Sequence, residues 1–205
     1  MYLFSSFQIT KSNYFSLLVS LLPISFIAGN MIININVILL IISWLVIYNK
    51  EILTINYHLL DKLIISFFLL IIFTGVYNDF KLSRFHQEFY STREFASTIK
   101  SILFLKYLLL YFVIRFLIEK KGLRLDLFFI TCLFSSVFVC FDIFIQFAFG
   151  KDIFGFEIID RGRRLSGPFG DELIAGGYIQ RFSIFSFFVL PLFFSQYSKK
   201  FNKYL

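Results

Sequence analysis

Six stretches of this sequence are apolar over lengths close to the hydrocarbon thickness of a bilayer. They lie at about residues 14–29, 31–48, 63–77, 101–118, 127–149 and 173–195, with polar or basic segments between them. A membrane-spanning helix needs roughly 20 consecutive, mostly apolar residues. The stretch at 63–77 sits at the lower limit and must borrow residues from its flanks. Of 205 residues, 58% are hydrophobic, and runs this long would overfill any soluble core. The reading is an all-α fold, a polytopic transmembrane helical bundle of about six spans, forming one domain over 1–205. The first stretch competes with a signal peptide. It is long for one, lacks a small-x-small cleavage site, and a second apolar run follows at once, so a retained helix kinked at Pro23 is expected.

The formal net charge of +7 belongs with cytoplasmic loops and anionic lipid headgroups. Nothing interleaves basic and aromatic residues in a soluble module, so nucleic acid is not an expected partner; membrane lipids are. The 32 phenylalanines are read as lipid-facing and packing surface. Cys132 and Cys140 share one apolar run, which suits inert small hydrophobes better than a disulfide or metal framework. His58 has no second histidine or cysteine nearby and reads as a solvated loop residue. No metal site and no cofactor are expected.

Orientation follows the lysines and arginines of the short connectors. Lys11, Lys50, Lys62, Lys120, Lys121, Arg124, Lys199, Lys200 and Lys203 fall on one side if the N-terminus is cytoplasmic. The two longer loops, 78–100 and 150–172, then lie on the opposite face, where Asp79, Glu88, Glu94, Asp152, Glu157 and Asp160 nearly balance their basic residues. The loop 78–100 is rich in aromatics and suits either an interfacial amphipathic helix or a plain solvated loop. The loop 150–172 carries Arg161, Arg163 and Arg164, then Gly167, Pro168 and Phe169. Asp171 and Glu172 follow, where a helix start favours negative charge.

Four polar residues fall inside the outer halves of spans. At 1.5 Å per residue, Lys106 lies about 7 Å from its span's outer end, Asp142 about 10 Å and Arg181 about 12 Å, with Gln146 one turn beyond Asp142 on the same face. Intramembrane charges are costly and functional by default. Asp142 is expected to neutralise Lys106 or Arg181. The alternative to a purely structural pair is a cationic cavity opening outward. Arg115, near an inner end, is expected to snorkel. Arginine at 161, 163, 164 and 181 suits a bidentate grip on phosphate or diphosphate.

Residues 150–155, Gly-Lys-Asp-Ile-Phe-Gly, and 164–178, Arg-Leu-Ser-Gly-Pro-Phe-Gly-Asp-Glu-Leu-Ile-Ala-Gly-Gly-Tyr, resemble the O-antigen polymerase and O-antigen ligase superfamily. The likeness covers about Gln146 to Arg181, and the hydrophobic spans fit that family's first half. The resemblance implies an integral membrane glycosyltransferase of the bacterial inner membrane, active in lipopolysaccharide biosynthesis. Such enzymes act at the periplasmic face on polyprenyl-diphosphate-linked glycan, without nucleotide sugar or metal. It implies substrate-binding roles for Arg164, with Arg161, Arg163 and Arg181 around it, while Gly167 and Phe169 shape the loop. It also implies further spans and a large periplasmic loop in a C-terminal half, a separate partner if this chain is a split member.

A transporter or flippase component for an anionic lipid-linked substrate would also want a cationic outer cavity, though it should carry internal repeats, and 1–100 and 101–205 show none. A non-catalytic scaffold explains the spans but not the arginines. No GxSxG, CxxC, Walker or HExxH pattern is present.

Overall fold

The computed structural model describes residues 11–49, 51, 57–85, 95–120, 122–158 and 165–194. Among them the chain is helical with no β-strand, as the apolar runs require. The helices are α1 (Lys11–Ser20), α2 (Leu22–Ile27), α3 (Asn30–Ile47), α4 (Leu59–Phe85), α5 (Ala96–Glu119), α6 (Leu125–Phe149) and α7 (Ala175–Ser186). Five helical stretches are long and apolar enough to cross a membrane: Asn30–Ile47, Leu59–Lys81, Ala96–Glu119, Leu125–Phe149 and Ala175–Phe194. The first apolar run is shorter, and Pro23 breaks it into α1 and α2, because proline has no N–H to give the preceding turn. The protein is thus a polytopic helical membrane protein.

The chain divides into two compact units, one drawn from Met1–Asn36 with Lys121–Leu205, the other Val37–Lys120. In the second, α4 and α5 form an antiparallel pair fastened at both ends. Near the start of α4, Asp61 is buried and accepts hydrogen bonds from Tyr111 Oη at 2.8 Å and from the His58 amide at 2.6 Å. Its second oxygen also pairs with Arg115, whose guanidinium reaches Glu119 as well, at 2.9 Å. Arg115 therefore does not snorkel out of its span; a buried acid from the neighbouring helix holds it in. Asp61 falls in the polar segment between the apolar runs 31–48 and 63–77, yet it belongs to the first turn of α4.

At the far end, Asp79 accepts from the amides of Ser97 at 3.2 Å and Thr98 at 2.7 Å. No side chain caps α5 from within: its N-cap, Phe95, has φ 67°. A carboxylate from α4 supplies the missing acceptor for the exposed N–H groups. The expected loop 78–100 is accordingly shorter, since α4 runs to Phe85 and α5 begins at Ala96. Residues 86–94 lie outside the described set.

The two helices come closest at Gly75. A Cβ there would sit 2.4 Å from Ser101 Oγ, 2.9 Å from Ser101 Cβ and 3.0 Å from the Ser97 carbonyl oxygen. Small residues at such crossings let membrane helices pack where lipid removes the hydrophobic drive. Gly75→Ala gains about 1 kcal/mol of helix propensity but forces backbone and side chain apart, an overpacking cost of about 1–3 kcal/mol. Gly176, with nothing within 4 Å of its Cβ position, is the control. Thermal unfolding in detergent should show Gly75→Ala destabilised and Gly176→Ala unchanged or better. Equal behaviour would mean that the close crossing is not limiting.

In the other unit, α6 is the central element, with α1, α2 and α7 packed on it. Asn36, buried, donates to the Leu18 carbonyl at 3.2 Å and to Ser25 Oγ at 3.0 Å, bridging the α1–α2 break. Ser16 Oγ accepts from the Arg124 amide at 2.8 Å at the start of α6. At the opposite end of α6 the chain turns back on itself, and the candidate site is there.

Candidate functional site

Asp142 and Gln146 stand one turn apart on α6, so they share a face, and both are wholly buried. The helix ends at Gly150, whose φ of 77° suits a left-handed closing residue and whose amide reaches the Gln146 carbonyl at 2.9 Å. Residues 151–157 then form a small hairpin. Lys151 bridges Glu157 in antiparallel fashion, the Asp152 amide meets the Phe156 carbonyl at 3.1 Å, and Asp152 Oδ1 accepts the Phe156 amide at 2.6 Å. Lys151 and Glu157 also form an exposed ion pair at 2.9 Å. The hydrogen bond from Lys151 holds the Glu157 carboxyl below its ordinary range.

The hairpin does not project away from the helix. Asp142 Oδ1 accepts the Ile153 amide at 2.8 Å. Asp142 lies eight residues before Gly150, about 12 Å along the axis, so the hairpin folds back over the flank of α6. Phe154 meets Phe138 edge to face at 6.3 Å between centroids.

A second piece docks beside it. Gln146 donates to Ser166 Oγ at 3.2 Å and accepts from the Gly167 amide at 2.9 Å. A 3₁₀ turn, Gly167–Phe169, follows. Phe169 packs on Tyr178 at 5.3 Å, Tyr178 on Phe182 at 4.6 Å, and the Tyr178 hydroxyl donates to the Pro23 carbonyl at 2.9 Å. That bond ties α7 to the segment that follows the α1–α2 break. Glu172 accepts from Asn30 at 3.1 Å. Neither Asp171 nor Glu172 caps α7, which starts at Ala175 behind Ile174 without a side-chain cap.

Next to the turn lies a pocket of about 280 Å³, walled by Phe26, Leu173, Ile174, Tyr178 and Phe182, with exposed Arg181 as its cation. A larger groove of about 680 Å³ between α6 and α7 is lined by Leu133, Val137, Phe141, Leu190 and Phe193; it offers packing surface and no charged group. Among the described residues no three His, Cys, Asp or Glu side chains gather as metal ligands. Cys132 is buried, Cys140 exposed, and both are free.

Of the residues singled out from sequence, Gly167, Phe169, Arg181 and Asp142 all lie in this unit around the end of α6. An ion pair of Asp142 with Arg181 is not found among the described residues of this unit. One Asp142 oxygen takes a backbone N–H, and Oδ2 has no hydrogen-bond partner. Lys106 belongs to the other unit, where its ammonium lies 5.1 Å from the Tyr107 ring centroid. Arg161, Arg163 and Arg164 lie outside the described residues. Sequence reasoning gave no role to Ser166 or Asp152 in this assembly. Their only signal was a polar side chain in a Gly/Pro-rich stretch after an apolar run. No protein-family model, curated protein or solved structure matches the chain.

Proposed function

We propose that this chain is part of a membrane glycosyltransferase of the O-antigen polymerase and ligase kind. In this reading it acts on polyprenyl-diphosphate-linked glycan at the periplasmic face of the bacterial inner membrane, with both termini cytoplasmic. The observation that carries the reading is the pocket beside the 3₁₀ turn, apolar and aromatic on its walls with a single guanidinium, Arg181. Such a pocket suits an amphiphile with an anionic group attached to an apolar chain. In the sequence Arg161, Arg163 and Arg164 come just before Leu165 and that turn, and the turn is tethered to α6 through Gln146.

The chemistry asks for what arginines supply. An acceptor hydroxyl attacks the anomeric carbon, a new glycosidic bond forms, and the bond to the lipid diphosphate breaks. The hydroxyl proton is lost, and charge grows on the departing diphosphate. Guanidinium groups holding two oxygens at once stabilise that growing charge. Arg164 fits the family pattern and takes the bidentate role, while Arg161 and Arg163 attract the headgroup through screened charge.

Arg164→Lys should keep the charge and lose most activity, since the planar fork is gone, whereas Arg161→Lys should be nearly silent. The measurement is glycan laddering, or transfer to lipid A core, in cells complemented with each variant at matched protein levels. Full activity of Arg164→Ala would remove the arginine loop from the mechanism. A reporter fused at Asp160 that reads cytoplasmic would overturn the orientation.

A further inference from the structure

At the end of α6 two acids are buried together, with no ion-pair partner among the described residues of this unit. Asp142 is 0% exposed and Asp152 6%. Each spends one oxygen on a backbone amide, Asp142 on Ile153 and Asp152 on Phe156. Each leaves its Oδ2 buried with no hydrogen-bond partner. They are neighbours, because the amide that Asp142 captures belongs to the residue following Asp152. Asp142 Oδ2 points toward the notch left by Gly167, whose Cβ position is 3.7 Å away.

The described charged and titratable groups of this unit leave the pair uncompensated. On the hairpin, Lys151 is taken by Glu157. On α7, Tyr178 donates to Pro23, and Arg181 lines the pocket beside Phe26. On α6 itself, Cys132 is a buried free thiol. Lys11 and Tyr14 lie on α1, and α2 and the 3₁₀ turn carry no titratable side chain. Asp171 and Glu172 add only negative charge. Among the described residues of this unit none of the cations forms an ion pair with either acid. Two like charges so placed in a low-dielectric site cannot both persist bare.

We propose that Asp142, the more deeply buried of the two acids, is a proton-binding side chain, because burial disfavours its charged form and a second acid lies beside it. A proton needs no cavity and one oxygen. A hard metal ion needs about six oxygens, and only two carboxylate oxygens are uncommitted here. Protonated Asp142 keeps Oδ1 as acceptor for Ile153 and turns Oδ2 into a donor. The hairpin 150–158 is thereby latched to α6 in a proton-dependent way. The sign follows directly: the latch is closed while Asp142 holds its proton and loosens as rising pH removes it, because the pair then carries two negative charges.

The test is difference infrared spectroscopy of the protein in liposomes, titrated with pH, read together with hydrogen exchange at the Ile153 and Phe156 amides after correction for intrinsic rates. The wild type should show a protonated-carboxyl stretch at neutral pH that disappears on alkalinisation, with both amides losing protection over the same range. Asp142→Asn should abolish the band. Asp152→Asn should leave it visible only at lower pH, because the like charge is gone. No protonated-carboxyl band in the wild type at neutral pH would overturn the proposal, and that outcome depends on no variant folding. Protection that follows sodium or potassium concentration instead of pH would likewise overturn it, in favour of a bound metal cation.

Discussion

Replacing Arg115 with methionine should sharply reduce the folded protein recovered from membranes, and adding Asp61→Asn should restore much of it. Asp61 is 1% exposed, and three donors converge on it: the His58 amide, the Tyr111 hydroxyl and the Arg115 guanidinium. Two of these are neutral and would remain after the change. The cation would not, and a carboxylate left alone in a helix of a membrane-spanning pair is the costly state. Asparagine at 61 has no charge to leave behind and still offers an acceptor to His58 or Tyr111. Lys120→Met is the comparison, because the Lys120–Glu51 pair is about half exposed on both sides. Exposed pairs contribute little, so that variant should be close to wild type. Thermal unfolding in detergent and membrane abundance are the readouts. A double variant no better than Arg115→Met alone would mean that the pair is not what joins the start of α4 to the end of α5.

That pair also shows what the sequence left visible and what it did not. Hydropathy located the helices, because lipid leaves a spanning segment few alternatives to helix. It misjudged both ends of α4 and the start of α5. Asp61 and Asp79 read as loop residues because other charged residues surround them between apolar runs, and here each is an acceptor for a neighbouring helix. The partners of Asp142 were illegible for a different reason. A buried acid in a span invites a search for a cation, and Lys106 and Arg181 were the candidates at similar depth. The hydrogen-bond donor in the structure is the backbone N–H of Ile153, which every residue but proline possesses and no sequence pattern flags. The return of the hairpin along α6 follows from that one bond and from Phe154 on Phe138. The turn at Gly167–Phe169 was more legible, since glycines flanking Pro168 break regular structure. Its anchoring by Gln146 was not, because nothing in the chain marks which loop an amide side chain will meet.

Gly167→Ala should disorder the tethered turn and, where the arginine loop serves catalysis, remove activity with it. Two independent effects act at this position. Gly167 has φ 55°, a left-handed conformation that costs an L-residue about 1–2 kcal/mol. A Cβ would also stand 2.9 Å from Ile143 Cγ1, a carbon within a side chain packed against the buried cluster of this unit, so relief requires moving the turn or the helix; overpacking of this kind costs about 1–3 kcal/mol. The easier movement is outward for the turn, which would break the Gly167 amide bond to Gln146 and strip that fully buried amide of its partners. Gly155→Ala separates the two effects, because Gly155 has φ 90° with nothing within 4 Å of its Cβ position. It should show the backbone strain alone. Hydrogen exchange across 165–170 and thermal unfolding should rank Gly167→Ala well below Gly155→Ala, with Gly176→Ala at wild-type level. Equal losses at 155 and 167 would show that strain is the whole effect and that the Gln146 tether does not depend on the missing side chain.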